Sequence, residues 1–227
     1  MTQSKNSPVK NRKPRTRGTK IETREKILAA ARHVFSNHPY HSATIRMIGK
    51  LAEIEHPLIS YYFPNKAELF ISVLEEFVGR HAQVERQWLE EVKSMTPARG
   101  FAVFLDYQLD YFRLHPEEFR IFALNMVQSE DTEPIPGYDL IQRAINASVK
   151  NFIEIVPLSA PGYEVDMFCR VMLNYMVNFL GASTFHASLM NLDPNSIQYL
   201  NWVKDTALYT LLPRFEMMVK KRGSDAG

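Results

Sequence analysis

Apolar residues return every three or four positions through most of the chain, in stretches divided by proline, glycine or polar clusters. The first stretch runs from Thr23 to about Asn37 with Ile27, Leu28, Ala31, Val34 and Phe35 on one face. Two short stretches follow, one after Thr44 with Ile45, Ile48 and Ala52, the other from His56 with Ile59, Tyr62 and Phe63. Longer ones span Lys66 to about Lys93, Pro97 to about His115, Glu117 to Gln128, Tyr138 to Val156, Tyr163 to about Met190 and Asn195 to Lys221. Only nine glycines occur, with neither Asn-Gly nor Asp-Gly among the dipeptides, so the recurrence at three and four predicts an all-α fold.

The two short stretches carry the most specific signal. Thr44 is a good N-cap, Pro57 suits a first helical turn where its missing N–H is not needed, and Pro64 stops the second helix. With Ile59, Tyr62 and Phe63 inward, the residues left outward are His56, Pro57, Leu58, Ser60 and Tyr61, concentrated towards the N-terminal end. A recognition helix presents that end to the major groove, which makes residues 44–66 a candidate helix-turn-helix.

The same residues resemble the tetracycline-repressor (TetR) family of bacterial transcription regulators. The resemblance rests on Thr44, Arg46, Ile48 and Gly49 in the first helix and on Tyr62, Phe63, Pro64, Asn65, Lys66 and Leu69 after it, and covers roughly residues 23 to 75. The chain departs from the pattern at Glu53, where the family usually has glycine in the inter-helix turn. Either Glu53 adopts the left-handed conformation, at a cost on the order of 1 kcal/mol, or the turn takes another shape. On this resemblance Arg46 and the outward residues of the second helix are assigned to bases, and Thr44, Tyr62 and Lys66 to phosphates of a double-stranded DNA operator.

Charge adds a second indication. Net charge is only +2, but residues 1–20 hold seven basic side chains and no acid, leaving 20 basic against 25 acidic residues in the rest. The expected organisation is a flexible basic tail over 1–20, a helix-turn-helix domain over 21–66, a helical effector-binding and dimerisation domain over 67–221 and a C-terminal tail over 222–227. A basic arm beside a helix-turn-helix suits phosphate tracking or minor-groove entry; a merely solubilising tail is the alternative. The 227 residues, 45% of them hydrophobic, allow a sizeable core, while a single cysteine, Cys169, precludes an internal disulfide. Without a signal peptide or an apolar run of about twenty residues, a soluble, cytoplasmic protein with no membrane partner is expected. His38 and His41 have no acid or cysteine to complete a ligand set, His115 with Glu118 at a helix start is at most a half-site, and neither a nucleophile motif nor a glycine-rich phosphate loop occurs, so no metal, no cofactor and no enzymatic activity are expected. His115 and Glu118 read as a helix cap and an exposed acid.

In the second half, the stripes of 163–190 and 195–221 are broader than one intramolecular contact covers, which calls for a partner surface. The resemblance implies a homodimer through these two helices, with Leu208 and Leu211 among the interface candidates. It also implies a small-molecule effector that releases DNA. Phe104, Phe122, Met126, Met172, Tyr175, Met176 and Phe179 are candidates for its pocket, although plain core packing accounts for most of such residues. The shortage of charge on these faces favours an apolar effector. Ser129 to Gly137, acidic and proline-containing, reads as a loop at the pocket entrance. A DNA-binding activator, or a regulator without an effector, would share the first 75 residues.

Overall fold

Side-chain oxygens cap helices where the sequence offers them: Thr44 accepts from the Met47 N–H, Asn65 from Glu68 and Ser196 from Tyr199. The computed structural model describes residues 17–126 and 134–219. Over them run α1 (Arg17–Asn37), α2 (Ile45–Ala52), α3 (His56–Tyr62), α4 (Lys66–Val92), α5 (Pro97–Leu114), α6 (Pro116–Met126), α7 (Tyr138–Ile155), α8 (Gly162–Gly181), α9 (Ser183–Leu189) and α10 (Ile197–Met218). Among the described residues the only β pairing is an isolated bridge between Leu158 and Val219. None of the described helices is long and apolar enough to cross a membrane.

Two buried clusters organise the chain. The first joins α1, α2 and α3 to the opening turns of α4 through Ile27, Leu28, Phe35, Ile48, Ile59, Phe70 and Leu74. It does not stop at Lys66, and it also takes in Ile121 of α6 and Ile135. The second gathers α5, α7, α8 and α10 with the far end of α4, with Phe101, Phe152, Phe168 and Phe215 forming an aromatic centre. At about 1.5 Å per residue, the 27-residue α4 spans roughly 40 Å and belongs to both.

Several boundaries differ from the expectation. Helix α1 opens at Arg17 rather than Thr23, so the last residues of the expected tail are helical; residues 1–16 lie outside the described part. Most of the predicted entrance loop does too, but its Ile135 is described and is buried at 3% exposure. The long helix expected over 163–190 is two. Gly181 lies so close to α6 that an added Cβ would stand 2.5 Å from the Phe119 carbonyl oxygen, and the chain then leaves helical geometry at Ala182 before α9 begins. Pro213 is accommodated within α10. Leu211 is a core residue at 7% exposure and so does not face outward, whereas Leu208 is partly buried against that core.

Candidate DNA-reading surface and the cavity behind it

Helix α2 ends at Glu53 in the left-handed region (φ 52, ψ 42), the first of the two expected alternatives. Its carboxylate is exposed and lies 3.6 Å from Lys26 Nζ. The tight turn brings the Ile54 carbonyl within 2.8 Å of where a Cβ on Gly49 would be, so the glycine that this corner needs lies in the helix rather than in the turn. With Ile59 fully buried, α3 is held by its middle. His56, Pro57 and Tyr61 are exposed, Leu58 and Ser60 half-exposed, and the Ser60 hydroxyl lies 3.4 Å from His56 Nδ1. Arg46 is exposed on α2 without an ion pair among the described residues, and Thr44 is exposed beside it. Lys20 reaches over the Tyr61 ring at 5.9 Å, placing a basic side chain at the start of α1 against the outward face of α3.

Two residues assigned to phosphates are placed otherwise. Lys66 Nζ donates to the carbonyls of Tyr40 (2.7 Å) and Ala43 (3.0 Å), with that of His41 at 3.5 Å, and lies 4.2 Å from the centre of the Tyr40 ring. Burial lowers its pKa, and its three donors are turned inward on the α1–α2 connection. It clamps the reading head instead of presenting a free charge. The Tyr62 hydroxyl is buried with no hydrogen-bond partner among the described residues, an arrangement costing about 1–3 kcal/mol, and does not face outward.

The clamped connection is held from the other side by α6. The Tyr40 N–H donates to Asn125 Oδ1 at 2.9 Å, Asn125 Nδ2 donates to the Ile121 carbonyl at 2.7 Å, and Arg120 Nε donates to the Ser36 carbonyl at 3.1 Å. Asn125 also lines a cavity of about 260 Å³ bounded by α4, α5, α6, α7 and α8. Phe104, Phe122, Met126, Met172 and Met176 line it as expected. Tyr175 and Phe179 do not: Tyr175 donates to the Val203 carbonyl of α10 at 2.7 Å, and Phe179 packs on His186 and Trp202. The wall also holds polar residues that sequence reasoning missed, Glu85, Gln108, Asn125 and Ser148. Glu85 and Gln108 occupy inward positions of the stripes of α4 and α5, between Val84 and Leu89 and between Leu105 and Phe112, and a polar residue on an apolar stripe was the available signal.

Between cavity and head lies a buried polar junction. Glu118, expected to be exposed, is 4% exposed; it accepts from Arg80 Nη1 (2.5 Å) and the Tyr111 hydroxyl (2.6 Å), while Arg80 also reaches His115 Nδ1 (3.1 Å). Alongside, Arg32 of α1 pairs with Glu76 of α4 at 2.6 Å. Burial pushes the Glu118 pKa up to about 7 against the Tyr111 hydrogen bond and the charges of Arg80 and Arg32, with Glu117 adding to the rise. A raised folded-state value means that the folded protein holds this proton more tightly than the unfolded chain. Its contribution to stability is complete below the ordinary value of 4.5 and is lost as pH rises through about 7. Melting temperatures measured from pH 5 to 8 should therefore fall towards pH 7 and then level, and Glu118→Gln should flatten this part of the profile.

Residues 27–73 match the family model of bacterial regulatory proteins, tetR family. Over 101 residues the chain is 35% identical to the HTH-type transcriptional repressor NicS of Pseudomonas putida, a match covering 44% of this chain and 47% of that protein. The chain thus spans about half the length of that relative. Over 165 residues it is 28% identical to the HTH-type transcriptional regulator RutR of Escherichia coli, covering 70% of this chain and 71% of RutR. Among solved structures it shares its fold with a tetR-family transcriptional regulator from Streptomyces coelicolor (TM-score 0.56, 16% identity, 90% of this chain and 92% of that one). The fatty acid degradation regulator FadR from Bacillus halodurans is similar to the same extent (TM-score 0.58, 18% identity, 82% and 98%).

Proposed function

We propose that this chain, whose residues 27–73 match the tetR family of bacterial regulatory proteins, is a DNA-binding transcription regulator that acts as a homodimeric repressor, its hold on DNA set by a small molecule in the α4–α8 cavity. Arg46, His56, Pro57, Leu58, Ser60 and Tyr61 contact bases, Thr44 and the basic N-terminal residues contact phosphates, and Lys66 keeps α2 and α3 in place. Two copies associate through α8 and α10, whose outward sides expose Met167, Val171, Tyr209 and Met217. The dimer sets two recognition helices at the spacing of successive major grooves, about 34–36 Å.

The observation that carries the effector reading is the double position of Asn125, which walls the cavity and holds the backbone of the α1–α2 connection. A ligand that prefers a displaced α6 shifts the population towards a state in which the heads no longer fit both half-sites. The word repressor is supported by the NicS similarity; activation from the same surface remains the second reading. Footprinting on genomic DNA, followed by release assays with candidate small molecules, tests the whole proposal. On a footprinted site, Arg46→Ala should lose about 1–3 kcal/mol of specific binding and much less nonspecific binding, as a base contact requires. Equal losses on both would remove Arg46 from base readout.

A further inference from the structure

We infer that the cavity takes a protonated amine carried on an apolar, aromatic body, with Glu85 as its counter-ion; this rests on the cavity being the effector site. Glu85 is 5% exposed and faces the cavity from α4. Its carboxylate accepts a hydrogen bond from the Ser148 hydroxyl and pairs with no Lys, Arg or His among the described residues. The neighbouring cations are engaged elsewhere. Arg86 reaches Asn151 (3.1 Å) and Glu154 (4.0 Å), Arg170, which also lines the cavity, is held by Asp166 (2.8 Å) and Asn146 (3.2 Å), and Arg80 is taken by Glu118. His81, also on the wall, makes edge contacts with Trp88 and Tyr111.

A buried carboxylate with one neutral donor is left short of compensating charge, and a cation entering the cavity supplies it. Gln108 provides a second, independent indication: it is 6% exposed, lines the same cavity from α5, and forms no hydrogen bond among the described residues. Its carbonyl is ready to accept an N–H, which favours a primary or secondary amine over a quaternary one. Around these two groups Phe77, Phe104, Phe122 and Phe152 present rings suited to an aromatic body and to a cation. The expectation of a wholly apolar effector arose because the charged side chains of the wall, Glu85 and Arg170, stand among many apolar lining residues.

The test uses full-length protein and three probes with one ring system: tryptamine, 3-ethylindole and indole-3-propionate, which end in a cation, a methyl group and an anion. Calorimetry should rank the cation first by about tenfold or more over the neutral probe, with the anion last. Glu85→Gln, similar in shape, should abolish the advantage of tryptamine while leaving 3-ethylindole binding unchanged, which also shows the variant cavity to be intact. Equal binding of the neutral or anionic probe, an advantage that survives in Glu85→Gln, or binding of none of the three overturns the inference. Operator release by 3-ethylindole without any Glu85 dependence would keep the effector site and discard the counter-ion. Glu85-dependent tryptamine binding with undiminished operator affinity would do the reverse.

Discussion

Tyr209→Asp combined with Met217→Asp should yield a folded monomer that no longer holds its operator. Tyr209 is 84% exposed and Met217 71%, on a helix whose other side buries Val203, Ala207, Leu211 and Phe215. Aspartates at these outward positions cost the isolated subunit little, whereas in a packed dimer interface each introduces an unpaired charge into an apolar contact. Since one short recognition helix offers few contacts, specific affinity should fall towards the nonspecific level, roughly a thousandfold or more. Sedimentation should show monomers while helix content by circular dichroism stays unchanged. A folded monomer with undiminished operator affinity would refute dimerisation as the requirement. Charging Leu211 is not an equivalent test, because at 7% exposure it belongs to the core and its loss unfolds the subunit.

Asn125→Leu should separate ligand binding from DNA release. The replacement removes the acceptor of the Tyr40 N–H and leaves the Lys66 bonds to Tyr40 and Ala43 in place. The head therefore stays assembled and operator affinity without ligand should change little. Coupling energies between sites are typically about 1–3 kcal/mol, and interrupting a connecting contact takes away about 0.5–2 kcal/mol of them. A ligand that weakens operator binding in the wild type should accordingly weaken it about 2- to 30-fold less in the variant, at comparable ligand affinity. Operator titrations with and without saturating ligand measure this directly. An undiminished response would show that the signal leaves the cavity by another route, such as α4.

The helix-turn-helix could be read from local chemistry because each of its features acts within a few residues. Thr44 and Asn65 cap from their own side chains, Pro57 fits a first turn, and Ile48 and Ile59 fall on inward positions. What escaped the sequence depends on partners far along the chain. Lys66 is a basic residue at the end of the motif, and nothing local says that its ammonium meets carbonyls 23 and 26 residues earlier. Gly181 ends a helix because α6 crosses against it, and the apolar stripe runs on past the break unchanged. On α10 the apolar residues are too evenly spread to separate Leu211, which faces the core, from Tyr209, which faces out. The pocket aromatics and methionines of α5, α6 and α8 split for the same reason: Met172 and Met176 face the cavity and Tyr175 and Phe179 face α10, all within two turns of one helix.

The cavity is lined by α4 to α8 of one chain. The proposed dimer therefore holds two such cavities. The shape of the response is set by how many filled cavities the operator tolerates. A dimer that lets go after one filling would respond in proportion to ligand from the lowest concentrations, while one that needs both would start with the square of the concentration and so lag before it switches. The shape of the induction curve thus reports whether the two heads fail singly or together.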